Sequence, residues 1–354
     1  MADNPADEDF LRQADPYRRE LLAHCYRMLG SVHDAEDLVQ ETYLRAWRAY
    51  DRFEGRSSLR TWLYRIATRA CLTALESRGR RPLPTGLGGP NADPGDPLVD
   101  QPEVPWLEPL PDALVAAETT DPAAVVAARQ SVRLAMIAAL QYLPPRQRAV
   151  LLLRDVLKWR AAEVAELLDT TTTAVNSILQ RARAQLDRAG LTEEEIVEPT
   201  EPEQRELLDR YVAAFEAKDI AGIVELFTKD AVWEMPPFTS WYRGAEAIAR
   251  LVDTHCPARG PGDMRLVPTR ANGQPAFGLY MRGPDGTYLP FNLPVLTLGK
   301  DGVTHVASFF DVRLFATFGL PDRLPADRSE SRHDDRPDSR PATATAGSPA
   351  PDQR

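Results

Sequence analysis

Residues 56–81 combine aromatic rings with arginines at helical spacing. Trp62, Arg65 and Arg69 stand at i, i+3 and i+7, so they share one face of a predicted helix. Such a face suits single-stranded nucleic acid, because base faces stack on rings while guanidinium groups follow the phosphates. The seven arginines of this segment are opposed only by Glu76. The alternative is that the rings are ordinary core aromatics.

A helix is also predicted just upstream, in the segment HDAEDLVQETYLRAWRAYDRF that begins at His33. One face is apolar and comprises Ala35, Leu38, Val39, Thr42 and Ala46. The adjacent face is acidic and comprises Asp34, Asp37 and Glu41. An acidic stripe beside an apolar seam can bind a partner protein, whereas an acidic stripe alone is more often a solvated surface.

Residues 161–186 carry the pattern helix, short turn, helix. The first helix is predicted over residues 161–168, the turn over 169–171 and the second helix over 173–186. The second helix has an apolar stripe at helical spacing, made of Val175, Ile178, Leu179, Ala182 and Leu186. Its other face offers amides, hydroxyls and arginines that can donate to phosphates and read base edges in a major groove. A plain helical hairpin is the competing interpretation.

The first two segments resemble the extracytoplasmic-function (ECF) group of bacterial RNA polymerase sigma factors. DAEDLVQETYLRAW is similar to their second conserved region, which implies binding to the clamp helices of the largest polymerase subunit. The residues expected there are Asp34, Asp37, Leu38, Gln40, Glu41, Leu44 and Trp47. GRSSLRTWLYRIATRACLTALESRGR resembles the helix and loop that open and read the minus-ten promoter element. The residues expected at that DNA are Arg56, Ser58, Arg60, Trp62, Tyr64, Arg65, Arg69 and Arg78.

LPPRQRAVLLLRDV resembles the opening of the fourth conserved region of the same group. The resemblance implies that the helix-turn-helix binds the polymerase flap and reads the minus-thirty-five element. The residues expected at that DNA are Thr172, Thr173, Asn176, Ser177, Gln180, Arg181 and Arg183. It also implies an acidic linker that threads toward the RNA exit path, with a plain flexible spacer as the alternative. VPWLEPLPD resembles the linker of members with a C-terminal extension, which implies that Trp106 packs on an ordered surface.

From residue 205 onward the pattern changes to two helices and then strand-like runs separated by turn signals such as NGQ and GPDG. An α+β domain with an antiparallel sheet is predicted. Its element order resembles the SnoaL-like group of the cone-shaped nuclear-transport-factor-2 superfamily, which implies a pocket. The residues expected to line it include Trp233, Met235, Trp241, Tyr280, Phe291, Phe309 and Asp311. The acid–base candidates are Asp230, Glu234, His305 and Asp311, and no pair has a spacing that demands catalysis.

The 354 residues divide where the composition changes. The predicted architecture is multidomain, with two all-α sigma domains joined by an acidic linker, the second a helix-turn-helix, plus an α+β cone-shaped SnoaL-like domain. The predicted segments are 10–81, linker 82–121, 122–190, 203–320 and a disordered tail 325–354. Residues 82–128 hold eight acids and no lysine or arginine, so the net charge of −10 conceals the basic segment before them.

The composition argues against several classes of protein. A hydrophobic fraction of 43% with 27% charged residues is typical of soluble globular domains. No apolar run approaches the ~18 residues that span a bilayer, and the first residues are acidic, so no membrane association and a cytoplasmic location are expected. Cys25, Cys71 and Cys256 form no zinc or disulfide motif, and no metal or cofactor is expected.

Two hypotheses from different classes remain. The first is a non-enzymatic sigma factor that binds core RNA polymerase and promoter DNA, with activity modulated by a C-terminal domain open to a small-molecule or protein regulator. The second is an isomerase or cyclase of the SnoaL-like type, or a ligand sensor, with an accessory DNA-binding module. The acidic stripe joined to the Trp and Arg helix favours the first, because a repressor with a sensor domain needs only the helix-turn-helix.

Overall fold

A computed structural model describes residues 5–115, 131–188 and 200–326 of the chain. The predicted boundaries at residues 122 and 190 lie outside the described residues. The same holds for the end of the predicted linker and for all but the first two residues of the predicted tail.

In the first helical domain, serine side chains cap the N-termini of two helices. Its helices within the described residues are α1 Pro5–Ala14, α2 Arg18–Leu29, α3 Val32–Ala49 and α4 Leu59–Glu76. Ser31 Oγ accepts the amide of Asp34 at 3.1 Å, and Ser58 Oγ accepts the amide of Thr61 at 3.1 Å. These contacts satisfy donors that a helix start leaves unpaired. Gly30, at φ 72°, ends α2 in the left-handed conformation.

The second helical domain contains the predicted helix-turn-helix. A short linker helix, α5 Asp112–Val115, comes before it. The helices of the domain are α6 Leu134–Leu140, α7 Pro145–Leu151, α8 Ala161–Leu167 and α9 Thr172–Arg188. Val175, Leu179 and Ala182 are buried, and Ile178 and Leu186 are half-buried, so the apolar stripe of α9 lies on the core side as predicted.

The C-terminal domain has a six-stranded sheet in the order β2-β1-β6-β5-β4-β3. Its elements are α10 Glu201–Ala217, α11 Ile220–Leu226, β1 Phe227–Glu234, β2 Trp241–Arg243, α12 Ala245–His255, β3 Met264–Ala271, β4 Gln274–Arg282, β5 Tyr288–Gly299, β6 Gly302–Phe309 and α13 Leu314–Thr317. The expected antiparallel sheet is wrong at one pair, because β1 runs parallel to β6. The long connection through α12 and four strands makes a parallel pairing possible there.

The two faces of this sheet pack on different parts of the chain. The inner face shares a core with α10, α11 and α12 through residues that include Phe277, Leu296, Val306 and Trp233. The outer face belongs to the apolar core of the two helical domains through Ala271, Ala276, Leu293, Val295, Ala307 and Phe309. The C-terminal domain and the helical domains therefore form one packed body.

The linker is packed against its neighbours, although its composition predicts an extended spacer. Leu83, Leu107 and Leu110 are buried in the core of the helical domains. The amide of Glu108 donates to the carbonyl of Gly30 at 3.0 Å. A segment rich in proline and glycine builds no core of its own, but its few apolar side chains can complete the core of others.

Trp106 is 9% exposed, which agrees with the expectation that it packs on an ordered surface. Its indole N–H donates to the carbonyl of Gln101 at 2.9 Å, which lies within the linker itself. Its own carbonyl accepts from Arg81 at 3.0 Å. Trp106 therefore shapes the linker, while Leu107 and Leu110 anchor it.

Candidate nucleic-acid interface

One face of α3 presents large apolar side chains to solvent. Leu44 is 52% and Trp47 is 44% exposed, and Asp37 and Gln40 on the same face are also exposed. Glu41 lies beside them and pairs with Arg45 at 2.6 Å. A cluster of exposed apolar side chains rimmed by charges is typical of a protein-binding surface.

Asp34 does not belong to this exposed face, contrary to the sequence-based expectation. Its side chain is 17% exposed and accepts from Arg81 at 2.6 Å, with a second ion pair to Arg78. Leu38 is half-buried at the edge of the seam. Asp34 and Arg78 are thus used inside the first helical domain, because the segment after α4 folds back over the start of α3.

The predicted minus-ten residues divide into a structural group and an available group. Tyr64 is fully buried, so in this structure its side chain is not available for the DNA contact that the resemblance implies. Its hydroxyl lies 3.3 Å from the carboxylate of Glu20, and burial raises the pKa of Tyr64. Arg60 donates to Glu20 at 2.7 and 2.8 Å, which raises the pKa of Arg60, and Ser58 caps α4.

Trp62, Arg65 and Arg69 do lie on one face of α4, as their spacing predicts. Trp62 is half-buried and packs on Phe53 with ring centroids 4.8 Å apart. Arg56 is exposed in the loop before α4 and pairs with the neighbouring Glu54. The Trp62 ring, the two guanidinium groups and the loop together form one surface. The bases of an unpaired strand can stack on the ring, while the guanidinium groups neutralise its phosphates.

Arg65 and Arg69 meet carboxylates of the second helical domain in this structure. Arg65 pairs with Glu166 of α8 and Arg69 with Asp169 at 3.2 Å. The cleft between them measures about 390 Å³. The face expected to read DNA is therefore turned toward another part of the same chain.

The outer face of α9 is solvent-exposed over almost its whole length. Exposed are Thr172, Thr173, Asn176, Gln180, Arg181 and Arg183, with Ser177 half-buried beside them. Asp155 holds the guanidinium group of Arg183 in a two-point contact of 2.6 and 2.9 Å, and this contact raises the pKa of Arg183. Amides and a fixed guanidinium group on one helix face can read base edges.

Two buried arginines join the helical domains to each other. Arg148 of α7 donates to the carbonyl of Met28 at the end of α2 and to Gln141 at 3.0 Å. Arg27 of α2 donates to the hydroxyl of Ser131 at 2.8 Å. Burial lowers the pKa of Arg27 and of Arg148 to about 10. In these contacts a charged guanidinium group is hydrogen-bonded to neutral oxygens only. Removing the guanidinium charge from water therefore costs free energy that no opposite charge offsets.

The residues expected to line a pocket in the C-terminal domain are brought together only in part. Trp233 and Met235 lie in the inner core, and Phe291 packs against it, whereas Phe309 belongs to the outer face. Tyr280 packs on Phe315 in a separate cluster. The pleat explains the error, because neighbouring residues of one strand point to opposite faces.

Trp241 and Asp311, the other two predicted pocket residues, make contacts outside the inner core. The indole N–H of Trp241 donates to the linker carbonyl of Gly88 at 2.9 Å. Asp311 pairs with Arg313 at 2.7 Å beyond the end of β6.

Glu234 is buried and binds the linker, where the sequence suggested an acid–base group. Its Oε2 accepts the amide of Thr85 at 3.0 Å, and its Oε1 lies 2.7 Å from Nε2 of His305. Both carboxylate oxygens thus have partners, which fits a structural contact between sheet and linker.

One buried side chain of the C-terminal domain contacts both helical domains and the linker. Asn272, at φ 57° in the turn between β3 and β4, has no exposed surface. Its Oδ1 accepts the amide of Leu110 at 2.8 Å, and its Nδ2 donates to the Tyr26 hydroxyl at 2.8 Å and to the Val132 carbonyl at 2.6 Å. The NGQ signal predicts the turn but not this role.

Glu108 is a second residue that sequence reasoning missed. Its Oε2 accepts the hydroxyl of Ser31 at 2.8 Å and lies 2.9 Å from Nδ1 of His33. An acid between Leu107 and Pro109 in an acidic linker gives no signal that distinguishes it from the other acids of the segment. Only the docking of VPWLEPLPD, which contains it, was expected.

Over residues 5–115, 131–188 and 200–326, no group of three His, Cys, Asp or Glu side chains could hold a metal ion. In those same ranges no helix combines the length and apolar character needed to cross a membrane.

Comparison with known families divides the chain in the same way as the structure. Residues 14–81 match the model of Sigma-70 region 2, residues 133–186 that of Sigma-70, region 4, and residues 208–313 that of the SnoaL-like domain.

Similar proteins carry the same combination. The ECF RNA polymerase sigma factor SigG of Mycobacterium tuberculosis is 61% identical over 324 residues, which cover 90% of this chain and 87% of the relative. SigJ of the same organism, strain H37Rv, is 31% identical over 69% of this chain and 72% of its own. The crystal structure of SigJ superposes with a TM-score of 0.56 at 25% identity, over 88% of this chain and 99% of that one. The chain belongs to the ECF RNA polymerase sigma factors and carries a SnoaL-like domain after its two sigma regions.

Proposed function

We propose that this sigma factor docks on core RNA polymerase through the exposed face of α3, with region 4 on the flap. The observation that supports docking is the apolar pair Leu44 and Trp47, which stands in solvent beside Asp37 and Glu41. The clamp helices of the largest subunit are the partner that the family resemblance implies. Such a complex acts where polymerase and promoter DNA meet, in the cytoplasm.

A pull-down of core polymerase tests this docking face. Reversing charge at Asp37 and Glu41 should weaken the complex while the circular dichroism spectrum stays unchanged. An unchanged affinity for core polymerase would contradict the assignment of this face as the docking surface. The same reversal at Glu206 of α10 and Glu225 of α11, two exposed carboxylates of the C-terminal domain, controls for the change in net charge.

We also propose that α9 reads the minus-thirty-five element and that α4 with its preceding loop binds the minus-ten strand. The first assignment is supported by the exposed Asn176, Gln180 and Arg183, the second by Trp62 beside two arginines. Directional amides and a fixed guanidinium group favour base reading in duplex DNA, whereas a ring between cations favours an unpaired strand.

The C-terminal domain regulates the sigma domains through contact and performs no chemistry, in our proposal. Its outer sheet face is buried against them, and Asn272 hydrogen-bonds both of them and the linker. A domain that is docked in one arrangement can bias that arrangement, which a flexible tether cannot do. A ligand or protein that displaced this contact would act as a regulator.

Point variants test this role better than truncation after residue 200. Truncation would remove the sheet face that packs on the core containing Leu107 and Leu110. A loss of activity could then reflect misfolding. Trp106→Ala and Asn272→Gly leave the C-terminal domain in place. They remove only the side-chain contacts of the linker and of the turn between β3 and β4. Equal promoter-specific transcription by both variants and the unmodified chain would refute regulation by contact.

The competing enzymatic hypothesis finds no support in the comparisons. The curated relatives that span most of the chain are sigma factors, which are not enzymes. Turnover of a carbon-acid substrate that is lost in Asp311→Asn would be the observation in its favour.

A further inference from the structure

The surface of α4 that we propose binds the minus-ten strand is covered by the end of α8 and by the turn that follows it in the helix-turn-helix. Arg65 pairs with Glu166, and Arg69 pairs with Asp169 and also lies 3.4 Å from the carbonyl of Leu167. The cleft that remains is lined by Trp62, Arg65, Ile66, Arg69, Glu166 and Asp169. Both cations of the reading face thus already have anionic partners.

A carboxylate and a phosphate oxygen use the same positions around a guanidinium group. We propose that Glu166 and Asp169 act as an internal substitute for DNA phosphates, which keeps the free chain from binding the minus-ten strand. This proposal rests on the proposed DNA role of Arg65 and Arg69. Its new element is a blocking function for two acids at the far end of α8 and in the turn after it.

The covered arrangement is incompatible with a bound promoter. The two promoter elements lie about 25 base pairs apart, which is roughly 85 Å of duplex at ~3.4 Å per pair. Duplex this short is stiff, because the persistence length of DNA is about 150 base pairs. In this structure, however, α4 and α8 are in direct contact through their ion pairs. The two domains must therefore separate before each can read its element.

The two ion pairs themselves contribute little to the covered state. Glu166 is 70% and Asp169 is 83% exposed, and ion pairs that reach solvent contribute little to stability. Arg27 and Arg148 join the same two domains through neutral oxygens, and the desolvation of their charges offsets part of what these hydrogen bonds contribute. The apolar core that the domains share must also separate, so the binding of polymerase has to supply the free energy of opening. Meanwhile the α3 face with Leu44 and Trp47 stays accessible. Polymerase can therefore bind the closed chain first and then favour its opening.

The blocking role is tested by the affinity of the free chain for a fluorescently labelled single-stranded DNA oligonucleotide of mixed sequence. Glu166→Gln with Asp169→Asn should bind about fivefold more tightly or better, since apparent affinity rises with the fraction of open chain. The matched control is Glu163→Gln with Asp187→Asn. It removes the same two charges from α8 and α9 outside the cleft. Its affinity should stay close to that of the unmodified chain.

A second measurement separates this proposal from the DNA role on which it rests. Arg65→Ala with Arg69→Ala is assayed for promoter opening in the complete polymerase holoenzyme. Reduced opening there, with no gain for Glu166→Gln/Asp169→Asn over its control, would overturn the blocking role and leave the DNA role standing. Unchanged opening would overturn both. Reduced opening together with the gain in affinity is the expected result.

Discussion

The side-chain nitrogen of Asn272 lies 2.8 Å from the hydroxyl oxygen of Tyr26, across 246 positions of the chain. The first residue is in a hairpin turn of the SnoaL-like domain, and the second is in the core of sigma region 2. The Tyr26 hydroxyl in turn donates to the linker carbonyl of Glu108 at 2.7 Å. A buried chain of hydrogen bonds of this kind fixes one arrangement, because each member lacks water as a substitute.

Asn272→Gly should release this arrangement. Glycine tolerates the positive φ at this position, so any loss of stability comes from the missing side chain and not from backbone strain. Removing the side chain leaves its buried hydrogen-bond partners unpaired, at about 1 to 3 kcal/mol each. We expect a lower free energy of unfolding, faster proteolysis of the linker, and more transcription at limiting polymerase. Asp285→Gly, in the exposed turn between β4 and β5, is the control. Linker cleavage at the unmodified rate in Asn272→Gly would contradict the role of this turn.

Leu44→Ala with Trp47→Ala should weaken binding to core polymerase by tenfold or more. Burying such side chains contributes about 1.5 to 3 kcal/mol each, and about 1.4 kcal/mol corresponds to a tenfold change in Kd. Because both side chains are largely exposed, the fold of the free chain should not change. Titration of labelled protein with core polymerase measures the effect. Equal Kd values would show that this face is not the docking surface.

Gln180→Ala and Arg183→Ala should reduce promoter preference. A lost two-point base contact costs about 1 to 3 kcal/mol for the preferred sequence, whereas a lost phosphate contact weakens all sequences alike and lowers the salt slope by roughly one. Asp155→Ala should give a weaker version of the Arg183→Ala effect, because Asp155 fixes that guanidinium group. Binding to upstream promoter duplex at several salt concentrations measures all three. Arg205→Ala, an exposed arginine on α10, is the control, and unaltered preference and salt slope in both α9 variants would exclude this helix.

His24 should make sigma region 2 less stable in mild acid. Burial lowers the pKa of His24 from its usual 6.5 to about 3. Above pH 6.5 both states are neutral and stability is complete. As pH falls from 6.5 toward 3, the unfolded chain takes up a proton that the folded chain refuses. The free energy of unfolding should therefore drop by about 1.4 kcal/mol per pH unit, or roughly 2 kcal/mol by pH 5.

The variant His24→Gln isolates this contribution, because glutamine does not titrate and can still hydrogen-bond Thr68, which lies 2.9 Å from Nε2 of His24. Denaturant unfolding between pH 7 and 5 should show a smaller loss of stability in the variant. His255→Gln, a histidine away from this core, should follow the unmodified chain. Identical pH dependence in His24→Gln would contradict the buried neutral state.

The sequence predicts the helical elements well, because helical periodicity is a local signal. The stripe of α9 and the shared face of Trp62, Arg65 and Arg69 follow from spacing alone. Spacing alone does not predict which side chains are exposed. For this reason the sequence places Tyr64 and Asp34 at interfaces, although other segments cover both side chains. The roles of Asn272 and Glu166 depend on partners distant in sequence, which no local pattern contains.

The closed chain must open to place its two reading surfaces on one promoter. Spin labels can be attached at Thr73→Cys on α4 and Ala162→Cys on α8, which are both exposed positions. Pulsed electron paramagnetic resonance then measures the distance between the two helices. In the free protein the account predicts one short distance, as for helices in contact. In the promoter complex with polymerase it predicts a separation approaching the roughly 85 Å between the elements. The same short distance in a transcribing complex would contradict the account.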